Sequence, residues 1–241
     1  MSYDLNLLTP EKRFWITKTS NIPRRFWGVG AEDIAKDIGD FSPDITDWLT
    51  DCLEGKVIKS IGGLGETGVG LLFDGKPGMG KTTHAAVTLT EFIRRLPDSQ
   101  EEACKILGVQ SSDYTMRMRP VYYMTFVDFL SRRKAMFDAE PEERRALQRE
   151  MDGFLGKAKE DYLNVRLLVL DDLGKEYGSK YDDTSFDEVL RTRYDQGLPT
   201  IVTTNIPLKN WGTQYSEAMG SFAHEAFSQV RLEGDDLRGK R

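Results

Sequence analysis

Short apolar runs recur along the chain and alternate with longer segments whose apolar residues fall three and four positions apart. The short runs predict buried β-strands, and the longer segments predict amphipathic helices. Strands that alternate with helices are typical of a parallel, doubly wound sheet whose ligand lies at the carboxyl ends of the strands. The five predicted strands span residues 69–73, 121–124, 166–170, 200–204 and 229–233.

Recognisable start signals precede several of the predicted helices. Ser42 followed by Pro43 is typical of a helix N-terminus, and Thr125 with an acidic residue three positions later has the pattern of a capping box. Two helices, at 126–137 and after Pro141, therefore separate the second strand from the third. Residues 96–120 are polar and predict an irregular connection. The other predicted helices span 83–96, about 184–196 and about 214–226.

Composition narrows the class of protein. The 33 basic and 39 acidic residues give a net charge of −6, which argues against coating nucleic acid by bulk charge. Local basic clusters such as 132–134 are compatible with DNA contact or with a solvated helix face. No apolar run approaches the roughly 20 residues that cross a bilayer, and no secretory signal is evident. Cys52 and Cys104 lie far apart, which indicates reduced thiols in a cytoplasmic protein.

A glycine-rich loop follows the first predicted strand and precedes a predicted helix. Residues 75–82 match G-x-x-x-x-G-K-[ST], the P-loop pattern, in the strand–loop–helix order that it requires. The backbone N–H groups and the helix dipole would face a phosphate. Lys81 is expected to neutralise the β- and γ-phosphates of ATP, and the Thr82 hydroxyl to bind Mg²⁺. The candidate nucleotide-binding residues are Gly75, Lys76, Pro77, Gly78, Met79, Gly80, Lys81, Thr82 and Thr83.

Polar residues end the third and fourth predicted strands. Asp171 ends an apolar strand, as a Walker B carboxylate does, and is expected to reach the Mg²⁺ shell. Asp172 would orient or deprotonate the attacking water, but aspartate is shorter than the glutamate often found there, so slow hydrolysis is expected. Asn205, assisted by Thr203 and Thr204, could bind the γ-phosphate or this water, or could be a turn residue. This order of motifs indicates an ATPase with a strand between the P-loop and Walker B strands.

Five ordered motifs resemble the DnaC/DnaI-type replicative helicase loaders and the related IstB-type transposition helper ATPases. They are GLLFDGKPGMGKTTHA, VYYMTFVDFL, LLVLDDLGKE, LRTRYDQGLPTIVTTN and LEGDDLR, and NIPRRF is similar to a segment ahead of the family's core. The resemblance implies an α/β P-loop NTPase of the AAA+ type, with a five-stranded parallel sheet sandwiched by helices. It also implies binding of ATP, Mg²⁺, single-stranded DNA and a hexameric replicative helicase. Since little follows the fifth strand, no full C-terminal lid domain is expected.

The resemblance also implies domain boundaries. Residues 1–60 correspond to an N-terminal extension with the candidate helicase-binding segment, and 61–241 to the AAA+ ATPase core. Within this core, 126–163 resemble the helical insertion of initiators and loaders. Judged by composition alone, residues 1 to about 30 are compatible with a strap across the core or with a docking segment for a partner.

The resemblance also implies catalytic roles for individual residues. The positions of Walker A, Walker B and sensor 1 fall on Lys81, Thr82, Asp171, Asp172 and Asn205.

Three arginines have roles only through the resemblance. Arg238 falls on a sensor-2-like position, and Arg193 matches an Arg-Tyr pair expected near a subunit boundary. Family members carry an arginine finger in the helix before the last strand, but here EAMGSFAHEAFSQV contains no arginine. Hydrolysis in a self-associated form therefore requires Arg193 or Arg231 as the finger.

Taken together, the sequence predicts an ATP-dependent loader that binds a hexameric replicative helicase and delivers it onto single-stranded DNA. ATP binding and weak hydrolysis would be its switch. Two alternatives remain open at this point, namely an IstB-type ATPase that assists a transposase and a non-hydrolysing ATP-binding scaffold.

Overall fold

Five parallel strands form the centre of the molecule. The computed structural model describes residues 3–38, 41–57, 68–174, 179–234 and 236. Since β4 lies between β3 and β1, a strand separates the P-loop strand from the Walker B strand, as predicted. The strands are β1 (Gly70–Asp74), β2 (Val121–Thr125), β3 (Leu167–Leu173), β4 (Thr200–Thr204) and β5 (Phe227–Arg231), in the spatial order β2-β3-β4-β1-β5.

Helices cover both faces of this sheet, because successive strand residues point to opposite sides and both sides are apolar. Leu71 and Phe73 of β1 face one hydrophobic cluster, whereas Leu72 faces the other. No helix in the described ranges is long and apolar enough to span a membrane. The first face carries α1 (Pro10–Phe14), α2 (Ala31–Asp37), α3 (Pro43–Leu53), α4 (Lys81–Arg95) and α5 (Gln100–Leu107), and the second carries α6 (Phe126–Asp138), α7 (Pro141–Leu155), α8 (Lys180–Asp195), α9 (Trp211–Gln214) and α10 (Glu217–Ala226).

Part of the predicted irregular connection at 96–120 is wrong, because it contains α5. Ala103, Cys104 and Leu107 form one buried face of this helix, and Gly108 ends it in a left-handed conformation with φ 60°. The helix is only two turns long and starts with two exposed glutamates, so its apolar stripe was too short to stand out in the sequence.

Several element boundaries also differ from the predictions. Helix α8 begins four residues earlier than expected, at Lys180, after the N-cap Ser179. The helix predicted at about 214–226 corresponds to α10, which begins at Glu217 after the N-cap Ser216, and the short helix α9 that precedes it was not predicted. Strand β5 begins at Phe227, because this residue still packs into the second cluster.

The N-terminal segment packs tightly on the first face of the sheet. Trp15 and Ile16 lie in the same hydrophobic cluster as Leu89 and Phe92 of α4, with which they form a common core. The Lys12 ammonium donates to the carbonyl oxygens of the last residues of α4. These contacts are those expected of a strap across the core, and the role of a docking segment for a partner stays a prediction. The predicted domain boundary near residue 60 lies outside the described residues and stays a prediction.

Candidate nucleotide-binding site

The backbone of the predicted P-loop has conformations that favour glycine. Gly78 and Gly80 have φ values of 87° and 79°, and Gly75 has a φ of 152°. A Cβ atom on Gly75 would lie only 2.4 Å from the Leu232 carbonyl oxygen, so the space itself requires glycine there. Gly80 is the N-cap of α4, and the helix N-terminus therefore opens directly onto the loop.

Lys81 is held at the centre of this loop. Its ammonium donates to the carbonyl oxygens of Gly75 and Lys76 at 2.7 and 2.8 Å, and to Asn205 Oδ1 at 2.7 Å. The side chain is buried even though it carries a charge, and these acceptors compensate for the lost hydration. The P-loop lysine and the residue predicted as sensor 1 thus touch each other, although 124 positions separate them in the chain.

The other predicted P-loop residues lie around the same loop. Lys76 and Pro77 are exposed, Met79 is buried, and Thr83 is partly exposed in the first turn of α4.

Asp171 ends the apolar part of β3 and points towards α4. The residue is 2% exposed, and its carboxylate accepts from three hydroxyl groups. Thr82 Oγ1 lies 3.1 Å from both carboxylate oxygens, Thr203 Oγ1 lies 2.5 Å from Oδ1, and the Tyr123 hydroxyl lies 2.5 Å from Oδ2. The predicted magnesium ligands Thr82 and Asp171 are therefore neighbours.

Asp172 occupies an irregular position in the same strand. The register between β3 and β4 shifts between Leu170 and Leu173, and Asp172 has a φ of 60°. A positive φ is uncommon outside glycine and is often found at functional sites. The Asp172 N–H donates to Thr203 Oγ1 at 2.9 Å. Thr203 therefore links both aspartates, whereas the Thr204 hydroxyl donates to the Leu173 carbonyl oxygen. The assisting role of both threonines at the γ-phosphate or the attacking water stays a prediction.

Tyr123 is a site residue that the sequence reasoning missed. Burial, reinforced by the negative charge of Asp171, raises the pKa of Tyr123 well above its ordinary value, so its hydroxyl remains a donor. The available signal was strand alternation. Tyr123 of β2 and Asp171 of β3 both project towards α4, but their contact depends on the pairing of Tyr123 with Val169.

This arrangement fits a magnesium–nucleotide complex. One buried carboxylate and one threonine hydroxyl converge at the N-terminus of α4, and Mg²⁺ in nucleotide sites typically takes such oxygen ligands together with phosphates and water. Within the described ranges, no three or more His, Cys, Asp or Glu side chains form a metal cage. The residues would hold the cation through a bound phosphate chain, which supplies the remaining negative charge.

Arg193 does not lie where the sequence reasoning placed it. Its side chain is completely buried and donates to the carbonyl oxygens of Phe154, Val165, Arg166 and Pro199, as well as to a threonine hydroxyl. Burial, with some repulsion from Arg166, lowers the pKa of Arg193 to about 9. The expectation of a subunit-boundary arginine is therefore wrong, because the guanidinium joins α8 to the end of α7 and to the starts of β3 and β4.

The remaining candidate arginines differ in accessibility. The side chain of Arg231 on β5 is 62% exposed and pairs with Glu233 at 3.2 Å. Arg238, the sensor-2-like candidate, lies outside the described residues.

The basic cluster at 132–134 on α6 is matched by acidic side chains. Arg132 pairs with Glu150, Arg133 pairs with a glutamate of α8, and Lys134 pairs with Asp182. These ion pairs favour a solvated, internally neutralised helix face over a track for DNA phosphates.

Comparison with known proteins gives a consistent picture. A family model described as IstB-like ATP binding protein matches residues 139–224, which include both Asp171 and Asn205. None of the curated proteins is significantly similar in sequence. The predicted resemblance to IstB-type proteins is thus confirmed over this part of the chain.

Solved structures resemble the chain over most of its length. DnaI has 16% identity and a TM-score of 0.58, covering 89% of this chain and 96% of its own. The DnaC helicase loader has 19% identity and a TM-score of 0.55, covering 88% of this chain and 100% of its own. AMPPCP-bound DnaA from Aquifex aeolicus has 16% identity and a TM-score of 0.53, covering 91% of this chain and 54% of its own.

At these identities, the likeness establishes the fold rather than the activity. The chain has the P-loop AAA+ fold, a five-stranded parallel sheet flanked by helices, as predicted.

Proposed function

We propose that the protein is an ATP-dependent loader that binds a hexameric replicative helicase and delivers it onto single-stranded DNA. One observation carries the proposal. The P-loop, the Asp171 carboxylate and Asn205 converge at the carboxyl edge of the sheet, in a fold that the DnaC helicase loader shares.

The contact between Lys81 and Asn205 supports a nucleotide-controlled switch. In the structure, the lysine ammonium is bound by two loop carbonyls and the asparagine amide oxygen. A β- or γ-phosphate would compete for the same ammonium, since a phosphate oxygen is a stronger acceptor than an amide. Nucleotide binding would then release Asn205, at the end of β4, for the γ-phosphate or the attacking water. The two nucleotide states would differ at this strand end.

Weak hydrolysis is part of the proposal. Asp172 would act on the attacking water, with Mg²⁺ bound through Thr82 and Asp171 supplying charge compensation for the phosphates. Helix α10 has no arginine that could serve as a finger, and Arg193 is buried inside its own subunit. ATP binding, more than turnover, would therefore set the affinity for the helicase and for DNA.

The main alternative is an ATPase that assists a transposase, because the matching family model is that of an IstB-like ATP binding protein. A transposition helper is expected to bind duplex DNA strongly, whereas a loader is expected to prefer single strands. Fluorescence anisotropy with single- and double-stranded oligonucleotides of equal length, in ATP and Mg²⁺, separates the two functions. Tighter binding to the duplex would favour the transposition helper.

An affinity capture from host lysate tests the proposed partner. Tagged wild-type protein with ATP and Mg²⁺ is expected to retain the replicative helicase, identified by mass spectrometry. Lys81→Ala is expected to retain about tenfold less, a change within the usual range of coupling between two binding sites. Lys105→Ala is the matched control, because Lys105 is an exposed lysine of α5 that pairs with Glu101.

Two outcomes of this capture would overturn the proposal. Retention of a transposase in place of the helicase would favour the alternative. Equal retention of the helicase by wild type and Lys81→Ala would instead indicate a scaffold that needs no nucleotide.

A further inference from the structure

Tyr123 contacts two separate parts of the molecule, the predicted magnesium ligand Asp171 and the N-terminal segment. Through its side chain it reaches the predicted magnesium ligand, since its hydroxyl donates to Asp171 Oδ2. Through its backbone it reaches the N-terminal segment, because its N–H donates to the Ser20 carbonyl oxygen at 2.8 Å. The Tyr123 carbonyl oxygen in turn accepts from Asn21 Nδ2 at 2.8 Å.

On the N-terminal side of this contact, Ser20 and Asn21 are held by burial and by hydrogen bonds. Ser20 is completely buried, and its hydroxyl donates to the Ile16 carbonyl oxygen. Asn21 has a φ of 54°, a left-handed conformation that turns its side chain back towards β2. On either side, Ile16 and Ile22 are buried in the hydrophobic cluster that includes α4. The segment therefore lies along the outer edge of β2, which is an edge strand of the sheet.

At the nucleotide site, the partner of Tyr123 is Asp171, whose carboxylate has defined hydrogen bonds. Asp171 has two carboxylate oxygens, and hydroxyl groups from α4, β4 and β2 donate to them. A cation that binds this carboxylate redistributes its negative charge and weakens or shifts these hydrogen bonds. The Tyr123 hydroxyl is the donor that comes from β2, and it sits on the same residue that the N-terminal segment holds.

We propose that Tyr123 is a positioning residue that fixes the Asp171 carboxylate for Mg²⁺ and couples its occupancy to residues 20–25. This inference rests on the proposed nucleotide site and specifies how the N-terminal segment senses it. The route is short. Metal binding changes the Tyr123 hydrogen bond, Tyr123 shifts within β2, and the two backbone contacts carry the shift to Ser20 and Asn21.

A displacement of residues 20–25 would change the environment of Tyr123, because its backbone N–H and carbonyl groups are hydrogen-bonded to Ser20 and Asn21. Coupling of this kind is reciprocal, so a ligand on the N-terminal segment would also change the affinity for Mg²⁺ and nucleotide.

The first test is the Mg²⁺ dependence of nucleotide binding in Tyr123→Phe, measured with a fluorescent ATP analogue. Removing a partner that orients a metal ligand typically costs 10- to 100-fold in metal affinity, so the Mg²⁺ concentration at half-saturation is expected to rise about tenfold. Binding without Mg²⁺ should change much less than binding with Mg²⁺, a difference that a general loss of structure would not produce. Tyr122→Phe is the matched control, since Tyr122 packs on the opposite face against Phe154.

The second test is hydrogen–deuterium exchange of peptides that cover residues 20–25, with and without Mg²⁺ and ATP. In wild type, Mg²⁺ and ATP together are expected to change the exchange rate at least threefold, and this change should disappear in Tyr123→Phe. Asn21→Gly tolerates the positive φ but removes the amide contact. It should change the Mg²⁺ dependence less than Tyr123→Phe does, because the Tyr123 hydroxyl is kept, and should lose most of the change in exchange.

The outcomes separate this inference from the proposed function. A wild-type protein that fails to bind nucleotide would overturn both. If wild type binds magnesium and nucleotide while Tyr123→Phe has the same Mg²⁺ dependence as Tyr122→Phe, only the role of Tyr123 is refuted. If hydrogen–deuterium exchange at residues 20–25 is the same with and without Mg²⁺ and ATP in wild type, the coupling between the metal site and this segment is refuted.

Discussion

The imidazole of His84 lies in the first turn of α4, directly behind the P-loop. Its Nδ1 atom is 3.0 Å from the Gly80 carbonyl oxygen, and its ring stacks on Phe41 with ring centroids 6.3 Å apart. Burial lowers the pKa of His84 below its ordinary value of 6.5, against the opposing effect of the Gly80 carbonyl. His84 is part of the motif GLLFDGKPGMGKTTHA, but the motif does not predict that the imidazole is buried.

This residue predicts a pH dependence of stability. Below pH 6.5 the histidine of the unfolded chain binds a proton more readily than the buried histidine does, so protonation favours the unfolded state. The free energy of unfolding should therefore fall with decreasing pH, by up to about 1.4 kcal/mol per pH unit. Urea denaturation between pH 5.5 and 7.0 measures it.

The controls for this prediction are two histidine variants. His84→Gln should remove this part of the pH dependence, whereas His224→Gln should keep it because His224 is exposed. Parallel stability curves for wild type and His84→Gln over this range would contradict the assignment.

Helix α4 carries the P-loop at one end and is fixed by the N-terminal segment at the other. Lys12 Nζ donates to the Leu96 carbonyl oxygen at 2.5 Å, to the Arg94 carbonyl oxygen at 3.3 Å and to Asp98 Oδ1 at 2.6 Å. An ammonium at a helix C-terminus interacts favourably with the helix dipole and with its unpaired carbonyl groups. The two ends of α4 are thus both held by charged contacts.

Lys12→Ala should therefore destabilise the protein. The variant leaves buried carbonyl groups without their charged donor, so the free energy of unfolding should fall by about 2 kcal/mol. Lys18→Ala is the matched control, because Lys18 is an exposed lysine of the same segment. Chemical denaturation of both variants provides the comparison, and a Lys12→Ala protein as stable as Lys18→Ala would contradict the capping role.

At the level of helices and strands, the sequence predicted those parts of the fold that depend on local signals. All five strands and the P-loop followed from apolar runs and from a spaced glycine motif, which need no information about distant residues. Helix α5 was missed because its apolar stripe spans only two turns.

The parts of the site that sequence could not give depend on register and burial. Tyr123 reaches Asp171 only because of the pairing between β2 and β3. Arg193 resembled a boundary residue by its motif, yet it became buried because five acceptors surround its guanidinium. Neither the contact between Tyr123 and Asp171 nor the burial of Arg193 can be predicted from a short sequence motif.

At the level of the whole molecule, a second subunit that assists hydrolysis would have to present an arginine to the nucleotide. With Arg193 inside the core, Arg231 is the remaining candidate among the two arginines considered, and it is exposed on the edge strand β5. Its partner Glu233 forms an exposed ion pair, a type that contributes little free energy and is easily exchanged.

Complementation tests this role of Arg231. Arg231→Ala should bind ATP but hydrolyse it at most slowly, and Lys81→Ala should retain the finger but lose ATP. If the finger acts between subunits, a mixture of the two variants should regain ATPase activity that neither has alone, because an arginine finger contributes about three orders of magnitude in rate. Arg191→Ala is the control, since Arg191 pairs with Asp187 on the same helix. Full activity of Arg231→Ala alone would exclude the role.

Loading of the purified host helicase onto a closed circle of single-stranded DNA tests whether the protein is an ATP-dependent helicase loader. A labelled oligonucleotide annealed to the circle reports loading, because its displacement requires a helicase ring around a strand without ends. If the protein is a helicase loader, the oligonucleotide is displaced when wild-type protein, helicase, ATP and Mg²⁺ are all present, and displacement with Lys81→Ala stays at background. Displacement that is equally fast with wild type, with Lys81→Ala and without either protein would contradict it.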